Sequence, residues 1–122
     1  MGIKDIFNKS FETHDNSNID ILKTHYYRCR YNEALEKVKK LIESEKALLV
    51  NEDHQYHEYF FKNNSYDCVC TITEINPTEI AIDFKIQTYD LLSFGKGKKL
   101  IDKFYNFLGQ NLNFKGLGLY KG

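Results

Sequence analysis

The most constraining feature of this sequence is a strict alternation of apolar and more polar residues. From Ile80 to Gln87, isoleucine or phenylalanine occupies every even position, and Asp83 and Lys85 stand among the odd ones. Successive side chains of a strand point to opposite faces, so this period of two predicts a β-strand with one buried and one wetter face. The chain therefore contains a sheet whose apolar face must be covered by other elements.

Three shorter apolar segments precede this strand, and each ends in turn-forming residues. The segments are 47–50, 55–62 and 66–75, and the turns are Asn51-Glu52-Asp53, Asn63-Asn64-Ser65 and Asn76-Pro77-Thr78. Asparagine, aspartate and serine bond their own backbone in turns, and proline cannot donate to a sheet. Because turns this short join antiparallel neighbours, the four segments predict a meander.

Helical spacing occurs on both sides of the meander. Apolar residues of 34–42 share one helical face behind a cap at Asn32, and those of 100–108 do the same after Gly95. Residues 22–30 are rich in aromatic and β-branched types and predict a strand before the first helix. Ile3, Ile6, Phe7 and Phe11 predict a short helical segment at the N-terminus.

These elements predict one α+β domain. Residues 1–18 are expected to form the N-terminal segment and a linker, 19–114 the domain, and 115–122 a flexible, glycine-containing tail. A five-stranded antiparallel sheet with two helices on one face, in the order β-α-β4-α, buries every apolar face at once.

Charge and composition exclude several classes of protein. The 17 basic and 17 acidic residues cancel, so no global field favours nucleic acid or an anionic membrane. No apolar run is long enough to span a bilayer, and the N-terminus lacks a secretory signal. The three cysteines fit reduced thiols better than a disulfide framework. We therefore expect a cytoplasmic protein without a membrane or nucleic-acid partner.

The candidate catalytic and metal-binding groups each have a simpler explanation. His54 and His57 are three residues apart, and on a strand such residues point to opposite faces. Cys68 and Cys70 share one strand face, but no second cysteine pair completes a zinc site, so we expect them to be small buried hydrophobic residues. No family signature surrounds a cysteine that His25 could activate as a base. We expect no metal, no cofactor and no catalytic residues, and hence a protein that is not an enzyme.

The nine tyrosines and nine phenylalanines allow two interpretations. In one, Tyr26, Tyr59, Phe61 and Phe104 line a pocket for a small apolar ligand. In the other, the same rings are ordinary core packing, which is the more common use. Within 55–62, aromatic residues occupy both odd and even positions and therefore point to both faces of the sheet. Both faces are then expected to be covered, which indicates a second subunit or another partner.

Asp83 and Gly95 stand out as single residues. A carboxylate in the middle of the best-defined strand is disfavoured by β-propensity, so we expect it to have a cross-strand or interface partner. Gly95 precedes the second helix in a G-x-G pattern that lacks the third glycine of a dinucleotide loop. We therefore interpret Gly95 as a turn residue, and both positions as structural or interface residues.

Three short motifs resemble an uncharacterised family of small cytosolic proteins from low-G+C Gram-positive bacteria. They are Leu22-Lys23-Thr24 followed by Tyr26-Tyr27, Ala81-Ile82-Asp83-Phe84, and Phe94-Gly95 leading into a helix with Tyr105 and Leu108. The resemblance covers residues 22–114 and implies no activity, since none is assigned to that family. It supports Asp83 and Gly95 as positions of the family pattern, and the order of elements is similar to the TBP-like topology and its helix-grip relatives.

The sequence thus predicts a non-enzymatic binding or protein-interaction domain that forms a homodimer or binds another protein. The alternative function is a helix-grip pocket that holds a small apolar ligand. The two differ in one requirement, because only the pocket needs an internal cavity between the sheet and the helices.

Overall fold

The computed structural model describes residues 11–89 and 95–119. In chain order its elements are β1 Phe11–Glu12, a 3₁₀ helix Asp20–Leu22, β2 His25–Tyr27, α1 Tyr31–Ser44, β3 Leu48–Asp53, β4 Glu58–Lys62, β5 Tyr66–Asn76, β6 Glu79–Thr88, α2 Lys96–Asn111 and β7 Phe114–Leu117. The protein is therefore α+β, with one antiparallel sheet and two helices in the described ranges, as predicted.

The sheet is wider than the sequence predicted. Within the described residues its strands lie in the order β3-β4-β5-β6-β2-β7, and β1 pairs with β6 on the same side as β2. The predicted five strands and β-α-β4-α order were wrong, because β1 and β7 add a strand at each end of the chain. β1 has two residues and β7 has four, one of them glycine, so neither carries a period that could reveal it.

Two short strands, β1 and β2, pair with the same edge of β6. β1 pairs with β6 at Ile86 and Lys85, whereas β2 pairs with β6 at residues 80–82. β1 and β2 thus run along the same edge of β6, one after the other, and residues 13–24 leave the sheet between them as a loop. This loop interrupts the sheet beside Asp83 and Phe84.

The core lies between the helices and one face of the sheet. The even-numbered residues of β6 point to this face, as their alternation predicts, together with alternate residues of β4 and β5. The largest fully buried side chains are Tyr27, Leu41, Tyr59, Phe61, Tyr66, Ile72, Ile80, Ile82, Phe84, Ile86, Ile101 and Phe104. Each such aliphatic or phenylalanine side chain contributes on the order of 1.5–3 kcal/mol by leaving water.

The predicted meander is present as β3 to β6, and its second and third turns fall near the predicted residues. The first turn lies later than predicted, at 54–57, because 51–53 still pair with β4 and Asp53 accepts from the turn amides of Gln55 and Tyr56. The strand expected over 22–30 is shorter, since residues 20–22 form the 3₁₀ helix and only 25–27 pair. α1 begins at Tyr31, so Arg30 rather than Asn32 holds the capping position.

The chain ends differ from expectation where the structure describes them. Phe11, which was assigned to an N-terminal helical face, lies in β1, and the rest of that face lies outside the described residues. Residues 115–117, which were placed in a flexible tail, belong to β7 and pair with β2. No helix in the described ranges is both long and apolar enough to cross a lipid bilayer.

Candidate functional site

Asp83 lies beside the break between β1 and β2. Its Oδ1 accepts hydrogen bonds of 2.6 Å from the hydroxyls of Thr13 and Thr24, the first and last residues of the loop. Both threonines are buried, with 3% of their surface exposed. Short hydroxyl-to-carboxylate bonds of this kind are stronger than neutral ones. Asp83 therefore fastens both ends of loop 13–24 to the sheet.

At the break between β1 and β2, the Thr13 hydroxyl also provides the hydrogen-bond partner for a backbone amide of β6. It accepts hydrogen bonds from the Phe84 amide at 2.9 Å and from the Tyr105 hydroxyl at 3.2 Å. With its bond to Asp83, the hydroxyl uses its one proton and both lone pairs. The single proton of the Tyr105 hydroxyl is shared between Thr13 and the closer Ile82 carbonyl, at 2.8 Å. Asp83 thus has hydrogen-bond partners within one chain, and these are threonine hydroxyls.

The loop is also held by β2 and by the residue that follows β7. The Tyr26 hydroxyl donates to Asp15 at 2.6 Å, and the Gly118 amide donates to the Thr24 carbonyl at 2.8 Å. Gly118 has a φ of 49°, and a Cβ there would lie 2.7 Å from the Asp15 carbonyl oxygen. A glycine is required at this position for both reasons.

The four aromatic residues predicted to line a ligand pocket lie on two sides of the sheet. Tyr59, Phe61 and Phe104 are 0% exposed and belong to the core under the helices. The ring centres of Phe61 and Phe104 are 6.2 Å apart, a normal packing distance. Tyr26 pairs with Ala81 and therefore points to the opposite face. The structure does not bring the four side chains together around one cavity.

His25 is packed as a neutral aromatic ring. It stacks on Tyr105 with ring centres 3.4 Å apart and planes within 1°, and Phe114 covers it at 5.3 Å. Burial lowers the pKa of His25 to about 4. This histidine is therefore uncharged at neutral pH, and it contributes packing between β2, β7 and α2.

All three cysteines are buried, as the sequence predicted for Cys68 and Cys70. Cys29, Cys68 and Cys70 are all reduced and buried. Burial, with a smaller effect from Glu33, raises the pKa of Cys29 to about 11, and burial raises the pKa of Cys68 and Cys70 well above the usual value. These thiols are poor nucleophiles for that reason. In the described part of the chain, no three metal-ligating side chains cluster.

Gly95 occupies the capping position of α2. It is exposed, its backbone is in the helical region, and a Cβ built on it would meet no atom within 4 Å. The structure therefore gives no steric reason for a glycine at this position.

The outer strand β3 forms one edge of the sheet and exposes apolar side chains. β3 pairs with β4 alone among the described strands, and Leu48 and Val50 are 64% and 44% exposed. A register shift between Leu49 and Asn51 marks a β-bulge at Val50. The bulge and the acidic Glu52 and Asp53 are devices that protect an edge from further pairing, but the strand contains neither lysine nor proline. We call Leu48–Asp53, with its outward-facing backbone, the β3 edge.

A cleft of about 550 Å³ opens where the first turn of α1 meets the β3–β4 and β5–β6 hairpins. Its lining residues are Arg30, Tyr31, Asn32, His57, Glu74 and Pro77. His57 has a φ of 56°, and its Nδ1 lies 3.0 Å from the Tyr31 hydroxyl. Tyr31 in turn shares a hydrogen bond with the buried Tyr59 hydroxyl. Burial and this bond raise the pKa of Tyr31.

Sequence reasoning missed both the threonines around Asp83 and this cleft. Thr13 and Thr24 carry no periodic signal, and although residues up to 18 were predicted to include a linker, nothing in the sequence indicated that a loop 13–24 meets Asp83 at both of its ends. For the cleft one signal existed, since only two of the 17 basic residues are arginines and both, Arg28 and Arg30, stand just before α1. Arginine is favoured where a planar, two-pronged hydrogen bond to an anion is needed.

Comparison of the chain with protein-family models, with curated proteins and with solved structures finds no match. The resemblance to a family of small bacterial proteins and the cytoplasmic location therefore stay predictions from the sequence.

Proposed function

We propose that this protein is a non-enzymatic interaction domain that self-associates through the β3 edge. The observation that carries the proposal is an outer strand with exposed Leu48 and Val50 and with backbone groups that no described strand pairs. Such an edge is a template for addition of another strand. Burial raises the pKa of the three thiols, which disfavours the thiolate that cysteine-based covalent catalysis needs.

A second copy of the chain fits this edge better than an arbitrary strand. Antiparallel pairing about Leu49 sets Leu48 of each copy opposite Val50 of the other, which forms two apolar cross-strand pairs. In such a two-fold dimer the β3 edges of the two copies pair with each other, so no free β3 edge is left to add a third copy.

The affinity expected of such a dimer is modest. Burying the exposed parts of two leucines and two valines contributes roughly 1 kcal/mol each. Each backbone hydrogen bond across the new strand pair contributes about 0.5–1.5 kcal/mol net. Association itself costs at least about 4 kcal/mol, and the bulge at Val50 limits the number of bonds that can form. We therefore expect a dissociation constant in the micromolar range or weaker.

Sedimentation velocity over a dilution series tests the proposal. The parent chain should pass from dimer to monomer on dilution, whereas Val50→Lys should stay a monomer throughout, because the two added charges would face an apolar strand. Ile19→Lys is the matched control, since Ile19 is also an exposed apolar residue, 42% exposed, but lies in loop 13–24. A parent chain that is monomeric at every concentration would refute self-association. A dimer that survives Val50→Lys would place the interface elsewhere.

The helix-grip pocket is the second candidate, and the core gives it less support. A ligand between sheet and helices would have to displace Phe61 and Phe104, which pack against each other and against Tyr66 and Phe84. Native mass spectrometry of protein purified from its own host would favour this function if a small apolar molecule stays bound.

A further inference from the structure

We infer that the cleft lined by Arg30, His57 and Glu74 binds a small zwitterion of the free amino-acid class. The inference is independent of self-association, because the cleft and the β3 edge use different residues. Three separate chain segments build it, the first turn of α1 and two hairpins, so its shape depends on the complete fold.

The charges of the cleft are opposite, and no described residue forms an ion pair with either of them. The Arg30 guanidinium and the Glu74 carboxylate line the same cleft, and in the described part of the chain neither forms an ion pair. Two opposite charges that share a cleft without pairing leave space for a ligand that carries both signs. A guanidinium binds a carboxylate through two parallel hydrogen bonds, and a carboxylate accepts from an ammonium group.

His57 is held in place from the core. Its Nδ1 contacts the Tyr31 hydroxyl, which is itself bonded to the fully buried Tyr59 hydroxyl. The other ring nitrogen, Nε2, makes no hydrogen bond to a described residue. A polar group whose orientation is fixed by bonds behind it, with its second nitrogen unused, is the arrangement that binding sites require.

The size and the remaining lining also fit a ligand of this class. The volume of about 550 Å³ lies within the range of small-molecule sites, and it exceeds what a single inorganic anion needs. Asn32 adds an amide that can donate or accept, and Pro77 supplies an apolar wall for a side chain. A simple anion is disfavoured because Glu74 would repel it.

Two-dimensional NMR of the ¹⁵N-labelled chain tests the inference. A pool of the free proteinogenic amino acids should cause saturable shifts of the Tyr31, Asn32 and His57 amides. The same pool with acetylated amino groups, or with amidated carboxyl groups, should not, because each lacks one of the two charges. Arg30→Gln and Glu74→Gln should each weaken binding at least tenfold. Lys62→Gln, an exposed charge outside this cleft, should leave it unchanged.

The same spectra show whether each variant is folded, so a lost response cannot be mistaken for unfolding. Absence of saturable shifts with the free pool, up to roughly 10 mM total, would overturn the inference. Equal binding of the acetylated or amidated pool would overturn the assignment of a zwitterion. Shifts that persist in both Arg30→Gln and Glu74→Gln would remove these residues from the site.

Discussion

Replacing Asp83 by alanine tests the central polar contact of this fold. The change removes the Oδ1 atom that accepts from the Thr13 and Thr24 hydroxyls at 2.6 Å. Both hydroxyls belong to residues only 3% exposed, so water cannot easily replace the lost acceptor. A hydrogen bond to a charged group contributes about 1.5–3 kcal/mol. Because Asp83 itself is half-buried and partly screened, we expect Asp83→Ala to cost about 2–4 kcal/mol in total.

Urea unfolding at 25 °C measures this cost as a lower transition midpoint. Asp83→Asn, which keeps an acceptor oxygen but not the charge, should lie between the parent and Asp83→Ala. Asp20→Ala is the control, because it removes an exposed carboxylate of the same loop whose bond to Lys23 is 3.0 Å, and its midpoint should match that of the parent.

A double-mutant cycle identifies the contact itself. Thr24→Val removes one of the two hydroxyls that donate to Asp83, so the double variant should lose less stability than the sum of the two single variants. We expect a coupling energy of about 1–2 kcal/mol between Asp83→Ala and Thr24→Val. An Asp83→Ala midpoint equal to that of the Asp20→Ala control, or a coupling of zero, would refute the assignment of Asp83 as the fastener of loop 13–24.

Further predictions concern His25, the tyrosine pair and one glycine. Burial lowers the pKa of His25 to about 4, so the unfolded chain binds a proton more readily, and stability should fall as the pH falls from about 6.5 to about 4. Allowing for partial solvent access, this loss of stability is about 1–2 kcal/mol. Urea titrations at several pH values measure it, and in His25→Phe this pH-dependent loss should be absent. Tyr31→Phe should cost about 1–3 kcal/mol by leaving the buried Tyr59 hydroxyl without its partner, whereas an unchanged midpoint would contradict that bond. Gly118→Ala should destabilise by about 1–3 kcal/mol, since φ is 49° and a carbonyl oxygen lies 2.7 Å from the new Cβ, while Gly109→Ala, in open space on α2, should raise the melting temperature.

The sequence by itself determined the meander, the two helices and the face of β6 that is buried. These features follow from periods of two or 3.6 residues, which depend only on where neighbouring side chains point. Turn residues at 63–65 and 76–78 added two antiparallel connections, because their conformations are also local, whereas the first turn lies at 54–57, after the predicted 51–53. The burial of Cys68 and Cys70 on one face followed from the same alternation.

Only the tertiary structure decided the width of the sheet and the surroundings of Asp83. β1 and β7 are too short to show a period, and they are strands because β6 and β2 offer them backbone partners. The sequence marked Asp83 as unusual but could not name its partners, which lie 70 and 59 residues away along the chain. The cleft likewise brings Arg30, His57 and Glu74 together from three elements. Contacts at such separations depend on how the loops close and how the strands pair, and no local pattern encodes that choice.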